Sequence, residues 1–356
     1  MKNTKFAAVL GVAALALGAC GGGNSDSTGD DGAAKTDYKA CLVSDAGGWD
    51  DKSFNESAMN GLKQSVKDLG IQENAAESKD SSDFQPNVQS MIDSGCNLVI
   101  GVGFNLADAI GAAAPQNPDV DFALVDSGFG EDYAGDNTRG LLFNTQEASY
   151  LAGYAAAAFS KTGTVATFGG IQIPAVTIFM DGFVDGVAKY NEDNGKDVKV
   201  LGWDKEKQSG QFTNSFDDKQ LGTQVAQQFI QQGADVIMPV AGPVGLGAAA
   251  AAQTDGSTYI IGVDSDWYES ASEYKDIILT SVVKEIAAAV FDTIKLGSED
   301  NFSNEAYIGT LENKGVALAP FHDLEEELPA GLTDQLTKLQ EDIVSGTIKV
   351  ESPSSN

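Results

Sequence analysis

Short apolar runs alternate with longer amphipathic ones from Tyr38 to near the end of the chain, and the series runs through twice. A short apolar run suits a strand buried on both faces, whereas a longer one with apolar residues every third or fourth position suits a helix. The spacing predicts strands at 39–44, 74–78, 97–102 and 121–126, separated by helices at 54–69, 84–94 and 106–114. A small-residue helix at 148–160 leads into the second series. There, strands are predicted at 164–168, 198–203, 235–240, 258–264 and 277–282, with helices at 176–190, 219–232, 244–253 and 284–296. Residues 307–319 read as a hairpin and 332–344 as a closing helix. This order gives an α/β chain of two doubly wound parallel-sheet domains, and the length from about Asp37 onward is too great for one core.

The N-terminus reads as a processed segment. Lys2 and Lys5 precede an apolar run from Phe6 to Leu17, too short for the roughly 20 residues of a bilayer-spanning helix but suited to a signal peptide. The run ends in Leu17-Gly18-Ala19-Cys20, which resembles the lipobox of bacterial lipoproteins. Residues 1–19 are therefore expected to be cleaved, with Cys20 carrying the lipid that holds the protein on the extracytoplasmic face of the cell membrane. Gly, Ser, Asp and Thr dominate the following stretch, so 20–36 is expected to be a flexible tether.

Composition then excludes whole classes of function. The chain has 52 acidic against 22 basic residues, a net charge of -30, and Arg139 is its only arginine. Nucleic acids and polyphosphates need cationic surfaces, so neither is an expected partner. The single histidine, His322, falls in a late loop, which argues against a Ser-His-Asp hydrolase. Asp264 and Asp266 could serve as acid and base or hold a metal, but no zinc spacing or phosphate-binding loop accompanies them. Neither a cofactor nor a metal is expected. Cys41 and Cys96 either form a disulfide or pack as two small hydrophobes.

In open parallel sheets, ligands bind beyond the carboxyl ends of the strands. The residues there are Asp45, the Asp50-Asp51 loop, Gly103-Phe104, Asp126, Gly169-Gly170, Gly242, Asp264 and Lys284. Several have a structural alternative. Phe54 can be core, Phe216 a loop aromatic, Asp217 or Asp218 a helix cap, and Asp264 an exposed loop residue. Lys284 opens the predicted helix at 284–296, where the dipole disfavours a cation, so a functional or paired role is favoured over a solvated one.

These loops carry a signature. Asp51-Lys52-Ser53-Phe54-Asn55, Gly262-Val263-Asp264-Ser265-Asp266 and Leu279-Thr280-Ser281-Val282-Val283-Lys284 resemble the basic membrane protein family, lipoproteins similar to purine nucleoside receptor A. Val240-Ala241-Gly242 and Phe216-Asp217-Asp218 add to the likeness. The resemblance implies a type I periplasmic-binding-protein fold with a three-strand hinge. On that pattern 37–144 with about 281–305 form the N-terminal lobe, and 145–280 with about 306–350 the C-terminal lobe. It also implies that Phe54 and Phe216 sandwich a base, and that Asn55 and Asp126 reach base edges or line the pocket. Asp264 and Lys284 would hold the sugar, Gly242 would allow close approach, and Asp45 and Phe104 would complete the ligand-binding set. The loop from Trp203 to Phe216 is longer than the family pattern, so Phe212 competes with Phe216 as the stacking residue. Ile173-Pro174 also departs from the pattern.

The implied activity is that of a monomeric binding protein, with no enzymatic step, which delivers a nucleoside to an ABC transporter permease and ATPase. A sugar or autoinducer-like ligand, or a surface adhesin without a transport role, are the alternatives. A nucleoside offers a flat face for aromatic stacking, about 1–3 kcal/mol per base, and hydroxyls for ionised carboxylates, roughly 1.5–3 kcal/mol per hydrogen bond. An acidic pocket repels phosphate. Calorimetry should therefore show a nucleoside binding more tightly than its nucleotide, and the reverse order would contradict the reading.

Overall fold

The computed structural model describes residues 36–130 and 132–355. The expected signal peptide, the tether up to residue 35, and Cys20 lie outside the described residues. The first lobe begins with β1 (Lys39–Ser44), α1 (Phe54–Leu69), β2 (Gln72–Glu77), α2 (Phe84–Asp93) and β3 (Leu98–Val102). It continues with α3 (Ala107–Ala113), β4 (Asp121–Val125) and β5 (Thr138–Phe143). β3 is buried along its whole length and β1 at all but its first residue, which is why both read as unbroken apolar runs and lie in the middle of the sheet. α1 forms because Ala58, Met59, Leu62 and Ser65 recur on one face, and it stops at Gly70, whose left-handed backbone returns its N–H to Val66 O.

The second lobe contains α4 (Thr145–Phe159), β6 (Thr164–Gly169), α5 (Pro174–Asn194), β7 (Lys199–Leu201), β8 (Trp203–Asp204) and β9 (Ser209–Gly210). There follow α6 (Lys219–Gln231), β10 (Val236–Val240), α7 (Pro243–Asp255), β11 (Tyr259–Asp264), α8 (Trp267–Ser270) and β12 (Ile278–Lys284). The chain then runs through α9 (Ile286–Ser298), β13 (Tyr307–Gly309), β14 (Val316–Leu318) and α10 (Leu332–Val344). The strand orders are β13-β5-β4-β3-β1-β2 and β14-β12-β11-β10-β6-β7. All pairings in the two sheets are parallel except β12 with β14. Each sheet reverses its winding direction once, between β1 and β3 and between β6 and β10, and these switch points position the ligand crevice.

Sheet membership corrects several expectations. Residues 307–319 do not form a hairpin: β13 joins β5 in the first sheet and β14 joins β12 in the second. Sequence adjacency suggested pairing, but each short strand completes the edge of a different sheet. The lobe boundaries near 281 and 306 move accordingly. β12 belongs to the second sheet up to Lys284, α9 packs on α1, and β13 returns to the first sheet before β14 leaves it. Lys284 consequently ends a strand rather than opening a helix. The expected strand at 198–203 breaks at Gly202, and Trp203–Asp204 turn away to pair with Ser209–Gly210.

Cys41 in β1 and Cys96 just before β3 form a disulfide with Cα atoms 6.0 Å apart, which settles the alternative left open above. It closes a separation of 55 residues, for which the chain-entropy relation gives about 4 kcal/mol of stabilisation. Reduction, or the Cys41→Ala/Cys96→Ala double variant, should lower the melting temperature by several degrees. An unchanged melting temperature after verified reduction would contradict that contribution.

Candidate ligand-binding site

The two switch points face each other across a crevice lined by residues of both lobes. Asp45, Phe54, Asn55, Phe104, Asp126, Phe216, Gly242, Asp264 and Lys284 all line it. They come from the ends of β1, β3, β4, β10, β11 and β12, the start of α1, and the loop before α6.

On the first-lobe side, the Asp45 carboxylate accepts from the Ala46 N–H at 2.6 Å and from Asn105 Nδ2 at 3.0 Å. Burial pushes its pKa up to about 6, against the pull of these hydrogen bonds. A Cβ at residue 103 would overlap this carboxylate, and Gly103 has φ +115, so glycine alone serves there. Asp51 caps α1 by accepting from the backbone N–H groups of Ser53, Asn55 and Glu56 at 2.8–3.0 Å. Burial raises its pKa to about 6 as well. The Asn55 amide Nδ2 donates to Ala46 O, which fixes its orientation. Its Oδ1 is then a buried acceptor with no partner among the described residues.

The second-lobe side centres on a buried cation. Lys284 Nζ lies 2.6 Å from Asp126 Oδ2 and 3.2 Å from Asp264 Oδ1. It also lies 4.8 Å from the Phe54 ring centroid, 5.4 Å from Phe179 and 5.6 Å from Phe143. Burial alone would depress the Lys284 pKa, but the two carboxylates outweigh it and hold the ammonium above its ordinary value. Burial pushes the Asp126 carboxyl up against the pull of the same ammonium. The short contacts support the ion pair. Asp126 and Asp264 have φ of 66° and 68°, the left-handed region that aspartate tolerates better than most residues. Such backbone costs of order 1–3 kcal/mol and concentrates at ligand sites.

Other candidates lie elsewhere. Phe212 does not line the crevice. Its ring rests against Gly169 and meets Trp203 edge-on at 5.8 Å, whereas Phe216 rests against Gly170 and faces the crevice. Asp218 caps α6 by accepting from Gln220 N, and Asp50 pairs with Lys52. His322 pairs with Asp266 at 2.7 Å and stacks on Tyr268, outside the crevice. Among the described residues, no group of three or more His, Cys, Asp or Glu is arranged to hold a metal. Sequence reasoning missed Phe179, Val176 and Ala175 of α5, Pro243 of α7, and Ala46. The flagged Gly169-Gly170 and Gly242 loops were the available signal, because the first turn of the helix after such a loop faces the same crevice.

Residues 39–354 match the family model of PnrA-like ABC transporter substrate-binding proteins. The chain is 32% identical to the ABC transporter nucleoside-binding protein BmpA of Lactococcus lactis, over 97% of this chain and 99% of that one. It is 36% identical to basic membrane protein A of Borreliella burgdorferi, over 71% of this chain and 70% of that one. A solved solute-binding protein of an Aeropyrum pernix ABC transporter superposes with a TM-score of 0.77 at 26% identity, covering 89% and 94% of the two chains. These likenesses agree with the two-lobed type I architecture described above.

The raised carboxyl of Asp45 has a consequence for stability. Its folded pKa of about 6 exceeds the ordinary value of roughly 3.9, so folding favours the protonated form. Its stabilising share is complete below the ordinary value and is lost as pH rises through about 6. Melting temperatures measured from pH 4 to pH 7 should therefore fall less steeply with rising pH in Asp45→Asn than in the unsubstituted protein. Parallel profiles would contradict the assignment.

Proposed function

The chain belongs to the family of PnrA-like ABC transporter substrate-binding proteins, and from that premise we propose that it captures a nucleoside, most suitably a purine, and hands it to an ABC importer. The observation that carries this reading is the meeting of two chemistries in one crevice, phenyl rings and carboxylates held by a buried lysine. Phe54 and Phe216 supply ring faces from opposite lobes, and the unpartnered Asn55 Oδ1 beside them is an acceptor for a base N–H. Lys284, 4.8 Å from the Phe54 ring centroid, occupies one oxygen each of Asp126 and Asp264. An ionised carboxylate accepts at about four lone-pair positions, so acceptor capacity remains for sugar hydroxyls. With Asp45 and Asp51 nearby, the crevice favours an uncharged hydroxylated ligand over a phosphorylated one.

Delivery to a transporter needs the protein held near the membrane, which is the role proposed for the lipid on Cys20. No helix of the described residues is long and apolar enough to cross a bilayer. The BmpA relative is named as nucleoside-binding, which favours a nucleoside over a free sugar as the ligand here. The site residues proposed are Asp45, Phe54, Asn55, Phe104, Asp126, Phe216, Gly242, Asp264 and Lys284, working as a monomer without enzymatic turnover.

Titration calorimetry with adenosine, guanosine, uridine, adenine and ribose tests the reading. A purine nucleoside should bind most tightly, and Phe54→Ala or Phe216→Ala should each weaken it by roughly 5- to 150-fold, the range for loss of one stacking contact. Binding of ribose with no detectable binding of any nucleoside would overturn it.

A further inference from the structure

Two loops that carry ligand-site residues hold each other across the crevice through a reciprocal pair of serines. Ser53, immediately before Phe54, comes from the first lobe, and its Oγ donates to Val263 O of the second lobe at 2.9 Å. Ser265, immediately after Asp264, comes from the second lobe, and its Oγ donates to Lys52 O of the first lobe at 2.9 Å. Lys52 and Asp264, whose carbonyl and carboxylate lie in this clasp, both have left-handed backbones, with φ of 62° and 68°. The two serines are not equivalent. The Ser53 hydroxyl also lies 3.2 Å from Asp264 Oδ2, so its single proton is shared between the Val263 carbonyl and that carboxylate. Ser265 instead faces the Ser270 hydroxyl at 3.0 Å and makes no contact with the carboxylate.

We infer that Ser53 is a positioning residue that fixes the rotation of the Asp264 carboxylate and so sets selectivity for the hydroxyls of the sugar. Asp264 is held at both oxygens, Oδ1 by Lys284 at 3.2 Å and Oδ2 by Ser53 at 3.2 Å. Two fixed donors on opposite oxygens define the carboxylate plane, so its remaining lone pairs point in set directions before a ligand arrives. Without the Ser53 donor, only the lysine constrains the group, and rotation about the Cβ–Cγ bond scatters those lone pairs. Ser53 does not line the crevice and is 1% exposed, so it acts through Asp264 rather than by touching the ligand. Its own place is fixed, because its backbone N–H donates to the Asp51 carboxylate that caps α1. The ring face of Phe54 and the carboxylate of Asp264 are thus registered to each other by one residue.

The inference rests on the nucleoside reading, and the test separates the two. Affinities of adenosine and 2′,3′-dideoxyadenosine are measured by calorimetry for the unsubstituted protein, Ser53→Ala and Ser265→Ala, with melting temperatures as a check on folding. Ser53→Ala should weaken adenosine about tenfold and dideoxyadenosine less than twofold, because only the former carries the 2′ and 3′ hydroxyls assigned to Asp264. Ser265→Ala removes the matching clasp bond without touching the carboxylate, so it should change both ligands by the same factor. Equal factors for both ligands in Ser53→Ala, or no change for either, would overturn the positioning role while leaving nucleoside binding intact. An unsubstituted protein that binds neither ligand would overturn the functional reading, and this inference with it.

Discussion

The Lys284 ammonium lies between Asp126 of the first lobe and Asp264 of the second, with three phenyl rings around it. A charge this deeply buried persists only if opposite charge or hydrogen bonds compensate its lost hydration. Here the compensation comes from both lobes at once. The pair therefore joins the lobes as well as neutralising the cation, and removing one member of such a buried pair costs about 3–5 kcal/mol. Lys284 is also the last residue of β12, directly before the chain crosses back to the first lobe at α9. The crossover between the lobes and the candidate site thus share one strand end.

The rest of the crevice follows from the two sheet reversals. Parallel strands that end together at a reversal leave their loops facing open space, and two such sheets set face to face enclose a crevice. Its walls combine two chemistries. Phe54, Phe216 and the free Asn55 acceptor share it with carboxylates compensated by a single lysine, which itself lies 4.8 Å from the Phe54 ring centroid. The chain as a whole carries a net charge of -30. In that setting the crevice suits a ligand whose polarity comes from hydroxyl and amide groups rather than phosphate.

Much of this was legible in the residues, for physical reasons. β1, α1 and α10 match their predicted bounds because local periodicity alone defines them. β5 was not predicted: Arg139 interrupts its apolar run, and its burial depends on non-local pairing with β4 and β13. The supposed hairpin at 307–319 failed because adjacency in sequence does not say which sheet edge is free. The crevice residues stood out because strand ends in a parallel sheet converge whatever the tertiary detail. Phe143 and Phe179 stayed hidden, since a phenyl ring around a lysine looks like ordinary core until the lysine is placed. Spacing could not separate Phe212 from Phe216; the contact of Phe212 with Trp203 does.

The central claim is that a nucleoside lies between the lobes with its base on Phe54 and Phe216 and its sugar at the Lys284 pair. A crystal structure of the protein with adenosine tests it most directly. The account predicts the adenine ring between the two phenyl rings, an amine or ring N–H at Asn55 Oδ1, and ribose hydroxyls within hydrogen-bond distance of Asp264 or Lys284. Adenosine bound outside the crevice, or inside it with the ribose against the phenyl rings and the base at Lys284, would contradict it.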